Sequence, residues 1–161
     1  MQKTIVVDYA KCTGCRLCET VCSLFNEGEI NPQLARIKII RWEWDGVQIP
    51  TICQQCDDAP CLAVCPVGAL HRNKALGCVS VNYGKCIGCK VCVSACPFGA
   101  MSYDFKNNRV IKCELCDGDP MCVKFCETKA VQYVDMSMVA VPKKRDLGLR
   151  ILTEVSKSEA P

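Results

Sequence analysis

The strongest constraint on this chain is the placement of its cysteines. All but one of the 17 fall into four short runs. The first, Cys12-x2-Cys15-x2-Cys18-x3-Cys22, and the third, Cys86-x2-Cys89-x2-Cys92-x3-Cys96, share one spacing. The second, Cys53-x2-Cys56-x4-Cys61-x3-Cys65, and the fourth, Cys113-x2-Cys116-x5-Cys122-x3-Cys126, are widened by acidic, proline-containing inserts. Those inserts are Asp57-Asp58-Ala59-Pro60 and Asp117-Gly118-Asp119-Pro120. The flanks repeat as well, with Tyr9-Ala10-Lys11-Cys12-Thr13-Gly14-Cys15 answering Tyr83-Gly84-Lys85-Cys86-Ile87-Gly88-Cys89. Short and long runs alternate, so the chain reads as a duplicated pair.

A cysteine density this high means either a disulfide scaffold or a metal protein, and the compartment separates the two. Residues 1–8 hold too few apolar positions for a secretory signal, and no stretch approaches the length of a membrane span. A reducing cytoplasm is therefore expected, and the odd cysteine total also argues against a disulfide framework. Structural zinc sites use well-separated cysteine pairs, often with histidine. Here three cysteines crowd into each loop, and His71 is the only histidine. Cys-x2-Cys-x2-Cys-x3-Cys-Pro is instead the bacterial pattern for cubane iron–sulfur clusters, in which the last cysteine ligates the other cluster of a pair. Cys86 to Pro97 matches it throughout. Four complete runs predict four [4Fe–4S] clusters. Gly14 and Gly88 stand where such a loop turns tightly and positive φ is needed. Cys78 has no ligand spacing and reads as a small buried hydrophobe.

The remaining composition fits this reading. Setting the cysteines aside leaves a thin apolar supply, so something inorganic must help to fill the interior. A net charge of +3 from 20 basic and 17 acidic residues gives no basic stripe for nucleic acid. No phosphate loop or His/carboxylate constellation appears, so the chain is not expected to be catalytic alone. β-rich pieces at Ile5–Val7, Val79–Val81, Arg109–Ile111 and Val131–Val134 flank the runs, and residues 34–49 alternate as a hairpin turning near Asp45-Gly46. Trp42 and Trp44 alternate with charges, which would set them on one strand face. Each fourth cysteine sits in one or two helical turns. The fold class is α+β: short strands, short helices and long cysteine loops. The tail, 136–161, differs, with a docking or back-folding helix expected over 145–157, where Leu147, Ile151, Leu152 and Val155 share a face.

With these motifs in hand, the chain resembles the four-cluster ferredoxin subunits of the dimethyl-sulfoxide-reductase iron–sulfur type. The likeness spans roughly residues 3–135, most tellingly Cys53-Gln54-Gln55-Cys56-Asp57-Asp58-Ala59-Pro60-Cys61 and Cys65-Pro66-Val67-Gly68-Ala69-Leu70. It implies nested bacterial ferredoxin-like folds over 1–135, with an inner unit of about 50–105 and an outer unit from about 1–30 and 106–135. It also implies the pairing. One cluster would take Cys53, Cys56, Cys61 and Cys96, and its neighbour Cys86, Cys89, Cys92 and Cys65. The outer two would take Cys12, Cys15 and Cys18 with Cys126, and Cys113, Cys116 and Cys122 with Cys22. Spacing alone also permits pairing run one with two and run three with four. Cys22-Ser23 and Cys126-Glu127 depart from the usual Cys-Pro.

The function implied is an electron-transfer subunit of an oxidoreductase complex in anaerobic metabolism, relaying single electrons to or from a large catalytic subunit. Run four looks most like small subunits of tungsten enzymes of the aldehyde oxidoreductase type, so a tungsten or molybdenum pterin partner is favoured. Alternatives are a hydrogenase, formate dehydrogenase or carbon monoxide dehydrogenase partner, or a free soluble polyferredoxin. A second electron-accepting subunit or another copy of the chain would be a further partner. Finally, Lys11, Arg16, Lys85 and Lys90 make runs one and three cationic, whereas Asp57, Asp58, Glu114, Asp117 and Asp119 make runs two and four anionic. Cations favour the more negative, reduced cluster, so higher potentials are expected at runs one and three.

Overall fold

The computed structural model describes residues 3–136. The tail helix expected over 145–157 lies outside the described residues. The chain order is β1 (Lys3–Val7), α1 (Leu17–Glu27), β2 (Ile37–Trp42), β3 (Val47–Ile52), α2 (Pro60–Ala63), β4 (Leu70–Asn73), β5 (Cys78–Val81), α3 (Val91–Ser94), β6 (Ser102–Asp104), β7 (Arg109–Ile111), α4 (Met121–Lys124) and β8 (Val131–Asp135). This is the α+β pattern of short elements expected from the sequence.

Every sheet among the described residues is a two-stranded antiparallel ribbon. β2–β3, β4–β5 and β6–β7 are hairpins. β1 instead pairs with β8, from Lys3 opposite Asp135 to Val7 opposite Val131, which ties the two ends of the described chain together. A lone ribbon is marginal in water and needs a packing surface. Two apolar clusters provide it. One gathers Ile5, Ile37, Ile39, Ile52, Leu115 and Val131 with Cys18, Cys22, Cys113 and Cys122. The other gathers Leu70, Val79, Val81, Met101 and Val110 around Cys92, with Cys56, Cys61, Cys65, Cys86 and Cys96 packed against it. Sulfur is thus part of the core in both.

Several elements depart from the sequence expectation. The first hairpin runs on to Ile52, and Trp44 stands fully exposed in its turn, so the two tryptophans do not share a strand face. β4 and β6 lie outside the strands that the sequence predicts, because Leu70-His71-Arg72-Asn73 and Ser102-Tyr103-Asp104 are too polar and short to read as strands. α1 continues for 11 residues, well past the two turns expected. Ser23 stands where proline usually ends the turn, which permits the continuation. Its hydroxyl donates to Thr20 O and accepts from Asn31 N–H, and the helix stops at Gly28 in the left-handed region.

Two hairpins lie over two of the cysteine loops. Arg41 of β2 donates to Gly14 O at 2.5 Å, and the Gln48 side chain of β3 rests on Gly14. The β6–β7 turn covers Gly88 in the same way, with Asn108 and Tyr103 against it. Gly88 has φ +67°, and a Cβ there would lie 2.4 Å from the Asn108 carbonyl oxygen. Gly88→Ala therefore combines a left-handed penalty of about 1–2 kcal/mol with forced displacement of the turn. At Gly28, φ is +73° but the surrounding space is open. Gly88→Ala should lower the thermal midpoint of the iron-loaded protein clearly more than Gly28→Ala. Equal losses would show that the hairpin gives way freely.

Candidate metal centres

The four cysteine loops share one backbone device. The residue before the second cysteine has positive φ in every run: Gly14 (+69°), Gln55 (+50°), Gly88 (+67°) and Leu115 (+62°). In runs one and three the residue after that cysteine is left-handed as well, at Arg16 (+62°) and Lys90 (+64°), so the hands alternate, whereas in run four Leu115, Cys116 (+46°) and Asp117 (+54°) are left-handed in succession. Alternating hands turn successive N–H groups to the concave side of a loop, a nest that favours anions, including iron–sulfur groups. Glycine adopts this conformation without strain, whereas Gln55 and Leu115 must be held there by burial, at 4% and 1% exposed.

Each loop curls around a cavity, and each cavity is lined by four cysteines. Cys53, Cys56, Cys61 and Cys96 line the first. Cys22, Cys113, Cys116 and Cys122 line the second, Cys12, Cys15, Cys18 and Cys126 the third, and Cys65, Cys86, Cys89 and Cys92 the fourth. Three cysteines come from one run and the fourth from another. The four are alike in their four-cysteine lining, so one kind of occupant suits all four. Among the described residues no three His, Cys, Asp or Glu side chains converge tightly enough to share a single ion. The sulfurs line walls, as a polynuclear group requires. Soft thiolate donors in fours are the donor set for iron–sulfur clusters, so the residues present fit that group.

Local chemistry around the sulfurs is mixed. The Arg36 N–H donates to Cys22 Sγ at 3.2 Å, and the Ala69 N–H donates to Cys65 Sγ at 3.2 Å. Burial pushes the Cys18 and Cys113 thiols up to about 12 and Cys92 to about 11. At Cys65 burial acts in the same sense, but the amides of Leu70, Ala69, Val67 and Gly68 together outweigh it and hold the thiol below its ordinary value. Cys126 is lowered likewise, by Val131, Ala130 and Lys129 N–H and the Thr128 hydroxyl against the opposing effect of burial. Metal ligation demands thiolates, so the buried thiols need a cationic occupant to ionise.

The cavities are arranged so that two meet in the interior. Cys113, of the second cavity, belongs to the same apolar cluster as Cys53, of the first. Gln55 Nε2 donates to Cys113 O at 2.8 Å, and Gln55 Oε1 accepts from Val79 N–H at 3.0 Å. Glu114 Oε1 accepts from Val81 N–H at 2.9 Å, adding a second strut. The exposed cysteines, Cys15 and Cys89, lie in the other two cavities. A third strut crosses between α1 and β7. Glu27 pairs with Arg36 at 2.7 Å and Arg109 at 2.5 Å, and Arg109 also lies over the Tyr83 ring.

Sequence reasoning missed Gln55, Leu115 and Lys112. Aligning the runs would have found them: Gln55 and Leu115 occupy the Gly14/Gly88 position, and Lys112 precedes its run as Lys11 and Lys85 precede theirs. Lys11 and Lys85 are exposed, whereas Lys112 is buried. His71 is exposed.

The chain matches the 4Fe–4S dicluster domain family over residues 44–136 and the 4Fe–4S binding domain family over residues 4–27. Together these spans contain all four runs. The polyferredoxin-like subunit of aliphatic sulfonate oxidoreductase from Pyrococcus furiosus is 43% identical over 122 residues, covering 76% of this chain and 70% of that one. Electron transport protein HydN from Escherichia coli is 36% identical, covering 92% of this chain and 99% of that one. A chain of the solved active site complex BamBC of benzoyl coenzyme A reductase is 26% identical, with a TM-score of 0.50, covering 82% of this chain and 75% of that one.

Cys78 is fully buried, lines none of the four cavities, and has its sulfur 3.7 Å from Ser80 Oγ and Glu114 O. Cys78→Ser should leave iron per chain unchanged, measured by iron and acid-labile sulfide analysis. Loss of a cluster's worth of iron would show that Cys78 is a ligand.

Proposed function

This chain belongs to the 4Fe–4S dicluster family, and on that premise we propose that it is the electron-transfer subunit of an oxidoreductase complex and carries four [4Fe–4S] clusters. The observation that carries the reading is the set of four similar cavities, each walled by four cysteines. The ligand sets we assign are Cys53, Cys56, Cys61 and Cys96; Cys86, Cys89, Cys92 and Cys65; Cys12, Cys15, Cys18 and Cys126; and Cys113, Cys116, Cys122 and Cys22. Each such cluster takes up and returns one electron at a time. The chain's own part is to hold the sulfurs at fixed separations, exclude water with two apolar cores, and set the charge around each site.

The second apolar cluster, Val110 apart, falls within an inner unit of about 50–105, and the first joins an outer unit from about 1–30 and 106–135 to Ile37, Ile39, Ile52 and Cys78; the division itself belongs to the proposal. The exposed Cys15 and Cys89 make their two cavities the natural points of entry and exit, with the two cavities that meet at Gln55 between them. The relatives carry names of electron transport proteins or of subunits, which supports a role that is not catalytic by itself. A partner that is an oxidoreductase is supported by the P. furiosus relative and by the reductase complex containing the structural neighbour. That the partner is a tungsten or molybdenum pterin enzyme rests on the resemblance of the Lys112–Cys126 run. No helix among the described residues is long and apolar enough to cross a membrane; cytoplasmic location belongs to the proposal.

Anaerobic reconstitution followed by metal analysis should give about 16 irons and 16 acid-labile sulfides per chain, from four cubanes of the type the spacing indicates. A plateau near eight would leave only one pair and sink the four-cluster reading.

A further inference from the structure

Lys112 is the one lysine among the described residues that is fully buried, at 1% exposed, and its side chain lines the cavity of Cys53, Cys56, Cys61 and Cys96. Its Nζ donates to Cys113 O at 2.9 Å, to Gln55 Oε1 at 3.3 Å and to Val79 O. Three acceptors match the three donors of an ammonium; a neutral amine would turn a lone pair toward one of them. The group is therefore a cation, and among the described residues no carboxylate pairs with it. A buried charge without a counter-charge is costly, so the missing counter-charge is the negative charge of the Cys53, Cys56, Cys61 and Cys96 thiolates that ionise when the cavity is filled.

The cations of the other cavities are neutralised or wet. Arg16 pairs with Glu19 at 3.0 Å and Arg36 with Glu27 at 2.7 Å, while Lys90 is exposed and lies over the Tyr103 ring. A second cation supports the same loop as Lys112: Arg72 donates to Cys56 O at 2.6 Å and Asp57 O at 2.7 Å. The carboxylates of Asp57 and Asp58 are exposed and open to solvent screening. The charge lining this cavity is thus opposite in sign to the Asp57 and Asp58 carboxylates on which the sequence expectation for run two rested. That charge, on Lys112, comes from just past the end of β7, at the start of another run.

We propose that Lys112 sets the potential of the cluster held by Cys53, Cys56, Cys61 and Cys96, raising it by stabilising the reduced, more negative form. The proposal rests on the four-cluster reading above. Because this cavity meets the second one at Gln55 and Cys113, Lys112 makes an interior site, rather than an exposed one, the place where an electron rests.

The test is a redox titration of the reconstituted protein followed by electron paramagnetic resonance, with a Cys56→Ser variant identifying the signal. Lys112→Gln removes the charge. Lys112→Met removes the charge while keeping most of the apolar stem, so it decides the matter if Lys112→Gln fails to fold. Each variant should shift that one couple to lower potential by at least a tenfold change in its reduced-to-oxidised ratio, ~59 mV for one electron. The other three couples should move less. If the couple stays within that tenfold change in the variants that fold, burial and amide hydrogen bonds control it and the proposal falls. Iron per chain in the same wild-type samples tests the four-cluster reading separately, since a low count would overturn that reading while leaving the effect on the identified couple readable.

Discussion

Each cavity draws three cysteines from one run and the fourth from another, and the shared ligation we propose from this is the constraint on which the rest of the structure depends. Filling a cavity joins segments far apart in sequence, such as Cys22 with Cys113–Cys122 and Cys12–Cys18 with Cys126. The entropy of closing such loops rises only slowly with their length, so a few strong metal–sulfur bonds can offset it where a small apolar core could not. The short ribbons and single-turn helices make sense on these terms. They need not be stable alone, because they are shaped to present sulfur.

The same arrangement explains where polar groups are buried. Gln55, Glu114 and Lys112 sit between the two apolar clusters and satisfy main-chain groups of Val79, Val81 and Cys113. Glu27 binds Arg36 and Arg109 on a separate seam. These contacts lock the inner part of the chain to the outer part through directional bonds, and a partly satisfied network of this kind would be worse than an apolar one. Spacing between neighbouring clusters is thereby held by hydrogen bonds and ion pairs, while each cluster's own shape is held by its loop.

Much of this was legible in the sequence, because cysteine spacing is a direct record of ligand geometry. The four runs, the glycine turns at Gly14 and Gly88, strand β7 and the reading of Cys78 as a small buried hydrophobe all come from local pattern. What local pattern could not show was anything set by contact across the fold. β4 and β6 exist because β5 and β7 pair with them, not because their residues favour strands. Gln55 and Leu115 adopt positive φ because the surrounding core holds them there. Lys112 looks like Lys11 and Lys85 in sequence and differs only in being covered. Trp44 looks like a strand residue and is a turn residue, since the hairpin register places Trp42 opposite Val47.

The central claim is that bound iron and sulfide complete the core of this chain. Binding confined to the native state contributes its free energy to folding. The decisive measurement is a thermal denaturation, followed by far-ultraviolet circular dichroism, before and after the iron is removed with a chelator under oxidising conditions and the freed thiols are reduced again. The account predicts that the loaded protein melts cooperatively and that the iron-free chain shows no cooperative transition. A cooperative transition retained in the iron-free chain would contradict it.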